Sequence, residues 1–247
     1  MDRSALLADI EQVTESGAGV IRGVFSSGEI AQARDLVTTH LDQMPNTRPF
    51  PGARHLAGFH RFPALEPLHR MLSGNPLIQD AMSRLCGASY RTIGLSDITV
   101  NRSQQWHKDL LRGKFTSYLG DPPYCARWHG TVFKVIAYLQ DSDSLKIVPG
   151  SHRMDIDLTS DEPAIPSEDT HLETISAQVG DAVIIDICTT HCGSPESVFF
   201  EAAEDAEPKI LVSTVFGRSR APLTDRLELG NAARQDRWTR KHQPSVQ

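Results

Sequence analysis

The chain has 247 residues, of which 39% are hydrophobic and 23% are charged. This length and composition predict a globular protein with one large core, and we expect residues 1–247 to form a single domain. The 25 Lys and Arg against 31 Asp and Glu give a net charge of −6, which disfavours nucleic acid and anionic membranes as partners. A small molecule is therefore the expected ligand.

The sequence carries no visible address for a membrane or for export. No apolar run approaches the length of a transmembrane helix, and the segment MDRSALLADIEQ lacks the basic-then-apolar order of a secretory signal. The cysteines, which are Cys86, Cys125, Cys188 and Cys192, are expected to be thiols. We expect a cytoplasmic monomer or homodimer.

The first 90 residues predict helices and loops around one short strand. The predicted elements are a strand at 19–24, a helix at 28–44 with Ser26 or Ser27 as its N-cap, a loop at 45–63, and two helical pieces that break at Gly74 and Pro76 and end at Gly87. The loop is rich in Pro, Gly, Arg and His without any period, which is typical of a surface segment.

From about residue 90 the chain predicts short strands. The β-rich runs lie at 91–103, 129–141, 145–152, 171–178, 181–191 and 209–217. Several short strands without helices between them favour an antiparallel sandwich or barrel. The fold class is therefore mainly β with flanking helices, comprising an N-terminal region at 1–90, a core at 91–218 and a charged tail at 219–247 whose first part could be helical.

A His-x-Asp/Glu triplet, which can chelate a metal, occurs three times. The copies are His40-Leu-Asp42, His107-Lys-Asp109 and His171-Leu-Glu173. Residues two apart point in different directions on a helix but to one face on a strand, so the copy in the predicted helix 28–44 cannot chelate one ion. The other two copies belong to β-like segments, and both satisfy this geometric requirement.

The choice between these two copies depends on a third ligand. Two His and one carboxylate leave half of an octahedral iron shell open, which suits non-haem Fe(II) oxygenases. His191 ends the apolar run GDAVIIDICTTHCG and lies 84 residues after His107, whereas only about one hairpin separates it from His171. The trio His107, Asp109 and His191 is favoured. Zinc bound by Cys188, His191 and Cys192 is the weaker alternative.

These motifs together resemble the phytanoyl-CoA dioxygenase family of Fe(II)- and 2-oxoglutarate-dependent oxygenases. The matching segments, in order, are GVIRGVFSSGEIAQARDLV, WHKD, VFKVIAYLQDSDSLKIVPGSHR, VGDAVIID and THCGS. The resemblance implies a double-stranded β-helix, or jelly-roll and cupin-like, core with N-terminal helices outside. It also implies iron on His107, Asp109 and His191, with 2-oxoglutarate and O2 as cosubstrates, whereas His152 in PGSH matches a turn position.

The resemblance fails at the anchor for 2-oxoglutarate. Relatives place an Arg at the start of the last core strand, where this chain has Pro208-Lys209. Lysine offers a point charge without the planar fork of arginine. Lys209 is the expected anchor, Arg218 (with Arg220) and Lys134 are the alternatives, and Ser194 in THCGS is a further cofactor-binding candidate.

The expected reaction is hydroxylation of a small, anionic metabolite with release of succinate and CO2. The alternative is a cupin-like metal-binding isomerase or a non-catalytic binding protein. Candidate substrate-binding residues are Arg48, Arg54, His55, His60 and Arg61 in the predicted loop, and Arg127, Trp128 and His129 in CARWHG. A solvated basic loop accounts for these residues equally well.

Overall fold

The computed structural model describes residues 3–50, 52–120, 128–155, 165–201 and 206–246. The helices are α1 (Arg3–Ser16), α2 (Ser27–Thr39), α3 (Glu66–Ser73), α4 (Pro76–Cys86), α5 (Ser197–Phe200) and α6 (Pro222–His242). The strands are β1 (Ala18–Ile21), β2 (Arg54–Ala57), β3 (Tyr90–Val100), β4 (Val132–Tyr138), β5 (Ser142–Ile147), β6 (Glu173–Ala177), β7 (Ala182–Asp186), β8 (His191–Cys192) and β9 (Ile210–Arg218). Every strand of the predicted β-rich half is present.

The strands form two antiparallel sheets. The larger sheet has six strands in the order β1-β7-β4-β9-β3-β2, and the smaller has three in the order β6-β5-β8. The mainly antiparallel sheet with flanking helices agrees with the predicted fold class. None of the helices in the described part of the chain has the length and apolar character needed to cross a membrane.

The alternation along β4 shows how the large sheet separates two environments. Phe133, Val135 and Ala137 belong to the main core, which includes buried side chains of α1 to α4. Ile136 and Tyr138 instead pack with buried side chains of the small sheet. Because strand side chains alternate between faces, Lys134 shares the face of Ile136 and Tyr138. An internal strand thus directs a lysine into the space between the sheets.

One prediction for the N-terminal region was wrong. The segment at 45–63, expected to be a surface loop, contains β2, which pairs with β3, and its Phe50, Leu56 and Phe59 are fully buried. A strand of four residues is too short to give a period in the sequence. The helix expected in the tail at 219–247 is present, since α6 extends to His242 and buries Leu223 and Leu227.

Helix α2 begins where the capping residues predict. The side chain of Ser26 accepts a hydrogen bond from the backbone N–H of Glu29, and the Glu29 carboxylate accepts one from the N–H of Ser26. This reciprocal pair satisfies two N–H groups that the first helical turn leaves without partners. The helix ends at Thr39, before the predicted 44, and a short 3-10 turn at Leu41–Gln43 follows it.

Candidate metal centre and pocket

His107 and His191 are held together by their backbones. The N–H of each donates to the carbonyl of the other at 2.9 Å, which forms an isolated antiparallel bridge next to β8. Strand β8 is itself paired with β5, where Ile147 lies opposite His191. The imidazole rings are 4.2 Å apart between centroids. The sheet hydrogen bonds therefore fix two histidines that are 84 positions apart in the chain.

Asp109 completes a cluster with the geometry of a metal site. Its Oδ1 lies 3.5 Å from Nε2 of His107, and its Oδ2 lies 3.5 Å from Nε2 of His191. The ligand atoms of the three residues lie within 4.8 Å of one another, and no other such cluster of His, Cys, Asp or Glu occurs in the described ranges. Two nitrogens and one carboxylate with an open side form a donor set that suits Fe(II).

The second nitrogen of each imidazole is tied to the backbone. Nδ1 of His107 lies 2.7 Å from the carbonyl oxygen of Gln105, and Nδ1 of His191 lies 2.9 Å from that of Thr189. An Nδ1–H that donates to a carbonyl leaves Nε2 as the free lone pair and orients the ring, as in known metal sites. Both histidines are therefore presented to the cluster through Nε2.

Burial and charge set the protonation of this cluster. Burial opposes ionisation of Asp109, but Lys134 and His191 outweigh it and hold the pKa of the carboxyl well below its usual range. Burial, together with the nearby His107, lowers the pKa of His191 to about 3. Lys134 donates from Nζ to Oδ2 of Asp109 at 3.0 Å. An ionised carboxylate beside a neutral imidazole is the state that binds a divalent cation.

Gln104 also contacts the cluster. Its side-chain amide lies 2.7 Å from Nε2 of His107, the atom that a metal would need. A metal bound by the trio would therefore take the place of this contact. Lys108, between the two predicted ligands, is directed elsewhere, because its ammonium donates to the carbonyls of Ser151, at 2.5 Å, and Cys188.

The cluster lines a cavity of about 400 Å³ between the two sheets. The walls include Lys134, Ile136 and Tyr138 from β4, Asp97 and Thr99 from β3, Leu211 and Ser213 from β9, and Leu145 from β5. The cavity is within the size range of small-molecule sites. Polar residues on three central strands, where a core would normally be apolar, are the sign of a functional pocket.

The predicted cosubstrate anchors divide into two groups. Lys209 is exposed at the start of β9 and lines the cavity, and both Lys134 and the buried Ser194 line it as well. Arg218 does not line it, since it lies at the other end of β9 and donates to the carbonyls of Cys86 and Gly130. This position contradicts the interpretation of Arg218 as an anchor, because nine residues of strand separate the two ends of β9.

The other predicted substrate-binding residues are scattered. Arg48 and His55 line a second, smaller cavity, whereas Arg61 pairs with Asp236 and Arg54 donates to backbone carbonyls. The ring of His60 lies near that of His69, and the ring of His129 lies near that of His152. Trp128 is buried in an apolar cluster, and Arg127 lies outside the described residues. The candidate residues that the structure describes therefore do not form one continuous binding surface.

The remaining look-alike motifs are not part of the cluster. His40 caps the end of α2 and contacts Gln43, and Glu173 on β6 accepts from Gln12. His152 of PGSH is buried in a short turn with its Nε2 3.2 Å from the carbonyl of Thr14. These positions agree with the reading of His40 as a helix residue and of His152 as a turn residue.

Sequence reasoning missed several charged residues of the cavity, among them Asp97, Arg102 and Arg234. Burial opposes ionisation of Asp97, but His55 and Arg234 outweigh it and hold its pKa well below the usual range. Burial lowers the pKa of Arg102 to about 10, so it stays cationic at neutral pH. Asp97 lies at an inward position of β3, within a predicted β-rich run, and this position could have identified it. No local pattern identifies Arg234, because it reaches the cavity only through the docking of α6.

No model of a known protein family matches the chain, and no curated protein matches its sequence. Solved structures do match. The chain is similar to SnoN, a non-haem α-ketoglutarate-dependent epimerase from nogalamycin biosynthesis, with a TM-score of 0.65, 19% identity, and coverage of 87% of this chain and 84% of SnoN. HygX from Streptomyces hygroscopicus, solved with nickel, 2-oxoglutarate and hygromycin B, gives a TM-score of 0.59 at 17% identity, covering 89% of this chain and 88% of HygX.

AviO1 from Streptomyces viridochromogenes Tue57 is also similar, with a TM-score of 0.60 at 15% identity, covering 90% of this chain and 97% of AviO1. Identities this low establish the shared fold. The chain thus has the fold of non-haem, 2-oxoglutarate-dependent enzymes such as SnoN.

Proposed function

We propose that the protein is a non-haem Fe(II)- and 2-oxoglutarate-dependent oxygenase acting on a small molecule. The observation that carries this proposal is the His107, Asp109 and His191 cluster in a cavity between two sheets. SnoN and HygX, which share the fold, have been solved with metal and 2-oxoglutarate bound. The ligands bound in those structures support iron and 2-oxoglutarate as the cofactor and cosubstrate of this chain.

The iron, when bound with 2-oxoglutarate, supplies activation of O2 and oxidation of the substrate, with succinate and CO2 as by-products. His107, Asp109 and His191 hold the metal, and the carbonyls of Gln105 and Thr189 fix the two rings. Lys134 orients Asp109 through their ion pair. Ile136, Leu145 and Leu211 contribute apolar walls to the cavity.

Lys209 is the proposed partner of the far carboxylate of 2-oxoglutarate. It lines the cavity at the start of β9, and its backbone is held by two hydrogen bonds with Asn101, at 2.8 and 2.9 Å. An exposed lysine can move to a carboxylate as a point charge. Ser194, buried beside the cavity, is the proposed second contact.

The finer assignments also belong to this proposal. They are membership of the phytanoyl-CoA dioxygenase family, a double-stranded β-helix core within one domain, and a cytoplasmic monomer or homodimer. Hydroxylation is the proposed outcome, because Asp109 is present as a carboxylate ligand. The same chemistry serves an epimerase in SnoN, so epimerisation is the competing outcome.

Anaerobic mixing of the protein with Fe(II) and 2-oxoglutarate tests the proposal. We expect a visible metal-to-ligand charge-transfer band, and succinate release once O2 is admitted. Asp109→Ala should lose both signals. His171→Ala, which alters an exposed look-alike motif, is the matched control and should behave like the wild type. A wild-type protein that binds the metal but gives neither the band nor succinate would identify the cupin-like alternative.

A further inference from the structure

Two arginines of the cavity have no counter-ion of their own. In the described ranges, neither Arg102 nor Arg234 forms a hydrogen bond or an ion pair, and both side chains are half-buried and line the cavity. Nε of Arg102 and Nη2 of Arg234 are fully buried without a partner. Buried N–H groups of a cation are costly to leave unsatisfied, so their persistence indicates a ligand that completes them.

The same two arginines form the wall between the metal cavity and a second cavity. The second cavity, of about 290 Å³, is bounded by the 45–50 segment, β2 and α6. Its lining includes the cations Arg48 and Lys241, and no acidic residue belongs to it among the described residues. Positive charge therefore continues from the arginine pair away from the metal ligands, in a chain whose net charge is −6.

The nearby carboxylates neutralise this charge only in part. Asp97 lies beside both arginines, but its Oδ2 faces Nε2 of His55 at 3.6 Å and its Oδ1 has no hydrogen-bond partner. Asp109 is paired with Lys134. The pair thus retains an excess of positive charge that an oxyanion can offset, and guanidinium groups match carboxylate, sulfate and phosphate oxygens in geometry.

We propose that Arg102 and Arg234 bind an anionic group of the primary substrate, so that the substrate is a small molecule carrying a carboxylate, sulfate or phosphate. This inference rests on the proposed function, because only an enzyme has a substrate, and it adds the chemical class of that substrate. The anion sits on the shared wall, and the remainder of the substrate extends into the metal cavity. Trp238 and Thr47 of the second cavity border the anionic end.

The position of the pair favours the substrate over 2-oxoglutarate as the occupant. Lys209 already offers a positive charge for the distal carboxylate within the metal cavity. The cations Arg48 and Lys241 belong to the second cavity alone, which holds none of the three proposed metal ligands. Charge that extends beyond the reach of a short diacid fits a larger anionic molecule.

Sulfate is the probe for the first test. Thermal unfolding of the metal-free protein is followed against sodium sulfate, with sodium chloride at equal ionic strength as the reference. Sulfate also stabilises proteins in general, so the saturable part of the shift is the signal. We expect a saturable shift of the unfolding temperature for the wild type. The apparent Kd for sulfate should be about tenfold weaker for Arg102→Gln and for Arg234→Gln, because each variant loses one charge-assisted contact.

Arg237→Gln is the matched control, because it removes one exposed arginine from the same helix and should keep the wild-type Kd. Arg102→Lys and Arg234→Lys retain the charge and should recover part of the affinity. If Arg102→Gln fails to fold, Arg234→Gln, on a different element, still decides the result. The absence of a saturable shift in the wild type, or equal Kd values in all variants, would overturn the proposal.

The second test separates substrate from cosubstrate. The sulfate titration is repeated with Mn(II) and saturating 2-oxoglutarate, and we expect the saturable shift to persist. Abolition of the shift by 2-oxoglutarate would assign the pair to the cosubstrate and overturn the substrate assignment. If Fe(II) and 2-oxoglutarate give no charge-transfer band while the arginine-dependent shift remains, the oxygenase function fails and the anion site stands.

Discussion

His107 and His191 exchange both of their backbone hydrogen bonds, each at 2.9 Å. This pairing means that the arrangement of the two proposed metal ligands is built into the sheet hydrogen bonds. The rings are further constrained by the carbonyls of Gln105 and Thr189. A preformed site should bind a metal without a large conformational change, and this leads to the first prediction.

Binding of a metal by His107, Asp109 and His191 should raise the free energy of unfolding. At a free Mn(II) concentration of about 100 times Kd, the free energy of unfolding should rise by about 2.7 kcal/mol, because the metal binds only the folded state. The measurement is urea denaturation with Mn(II) and with EDTA. His191→Ala should abolish the increase, whereas His171→Ala should retain it. An equal increase in all three proteins would place the metal elsewhere.

In the metal-free protein, we expect the contributions of Lys134 and Asp109 to stability to be coupled through their ion pair. Both side chains are nearly buried, at 12% and 10% exposure, so Lys134→Met leaves an uncompensated carboxylate and should cost about 3 kcal/mol. The double variant Lys134→Met with Asp109→Leu should cost less than the sum of the single changes. Urea denaturation in EDTA gives the coupling energy, and strict additivity would contradict the pairing.

Gly17 should be intolerant of a side chain because it packs against the turn that carries His191. Its φ of +92° favours glycine, and a Cβ there would lie 2.3 Å from Oγ1 of Thr189 and 2.6 Å from Nδ1 of His152. We expect Gly17→Ala to cost about 3 kcal/mol, the sum of backbone strain and overpacking. It should also weaken Mn(II) binding, since the carbonyl of Thr189 orients His191.

Gly23 provides the control for this prediction. Its φ is +60°, and a Cβ would meet nothing within 4 Å. Gly23→Ala should therefore show the strain alone, about 1 kcal/mol, with unchanged Mn(II) affinity. Thermal unfolding and a metal titration of both variants distinguish the two contributions. Equal losses for the two glycines would mean that packing against Thr189 and His152 contributes nothing.

Acid should destabilise the protein partly through His152. Burial lowers its pKa to about 4 from an ordinary value of 6.5, so the folded state favours the neutral ring. The resulting stability is fully present above pH 6.5 and declines as the pH falls from about 6.5 towards 4, by up to about 3 kcal/mol. His152→Gln should flatten this part of the curve of unfolding free energy against pH.

The exposed His171 offers the comparison for the acid measurement. His171→Gln changes an exposed surface histidine and is the control variant, which should keep the wild-type curve. If His152→Gln and His171→Gln gave the same slope between pH 4 and 6.5, the buried ring of His152 would not be the source of the acid sensitivity.

The sequence was informative where the pattern is local. The β-rich composition of the VFKVIAYLQ run predicted β4, and the two-residue spacing of His107 and Asp109 on an extended segment predicted that they share one side. The capping residues located the start of α2, and the order of the β-rich runs predicted an antiparallel core. These features depend on neighbouring residues, so sequence alone could specify them.

Features that depend on tertiary packing were not predictable in the same way. The tail gave no reason to expect that α6 would dock and bring Arg234 to the cavity. Likewise, nothing in the KILVSTVFG run indicated which end of β9 would lie near the proposed metal ligands, so Arg218 at its far end was kept as an alternative anchor. Strand β2 was missed because its pairing with β3, more than 40 residues later, stabilises it.

The backbone pair between the two histidines leaves out Asp109, and this separation suits the chain to redesign. Replacement of Asp109 by glycine would keep both imidazoles in position while vacating one coordination site next to the Lys134 ammonium. A metal held by two histidines there could accept an azide or a halide as its third ligand. The protein would then serve as a scaffold whose chemistry is chosen by the added anion.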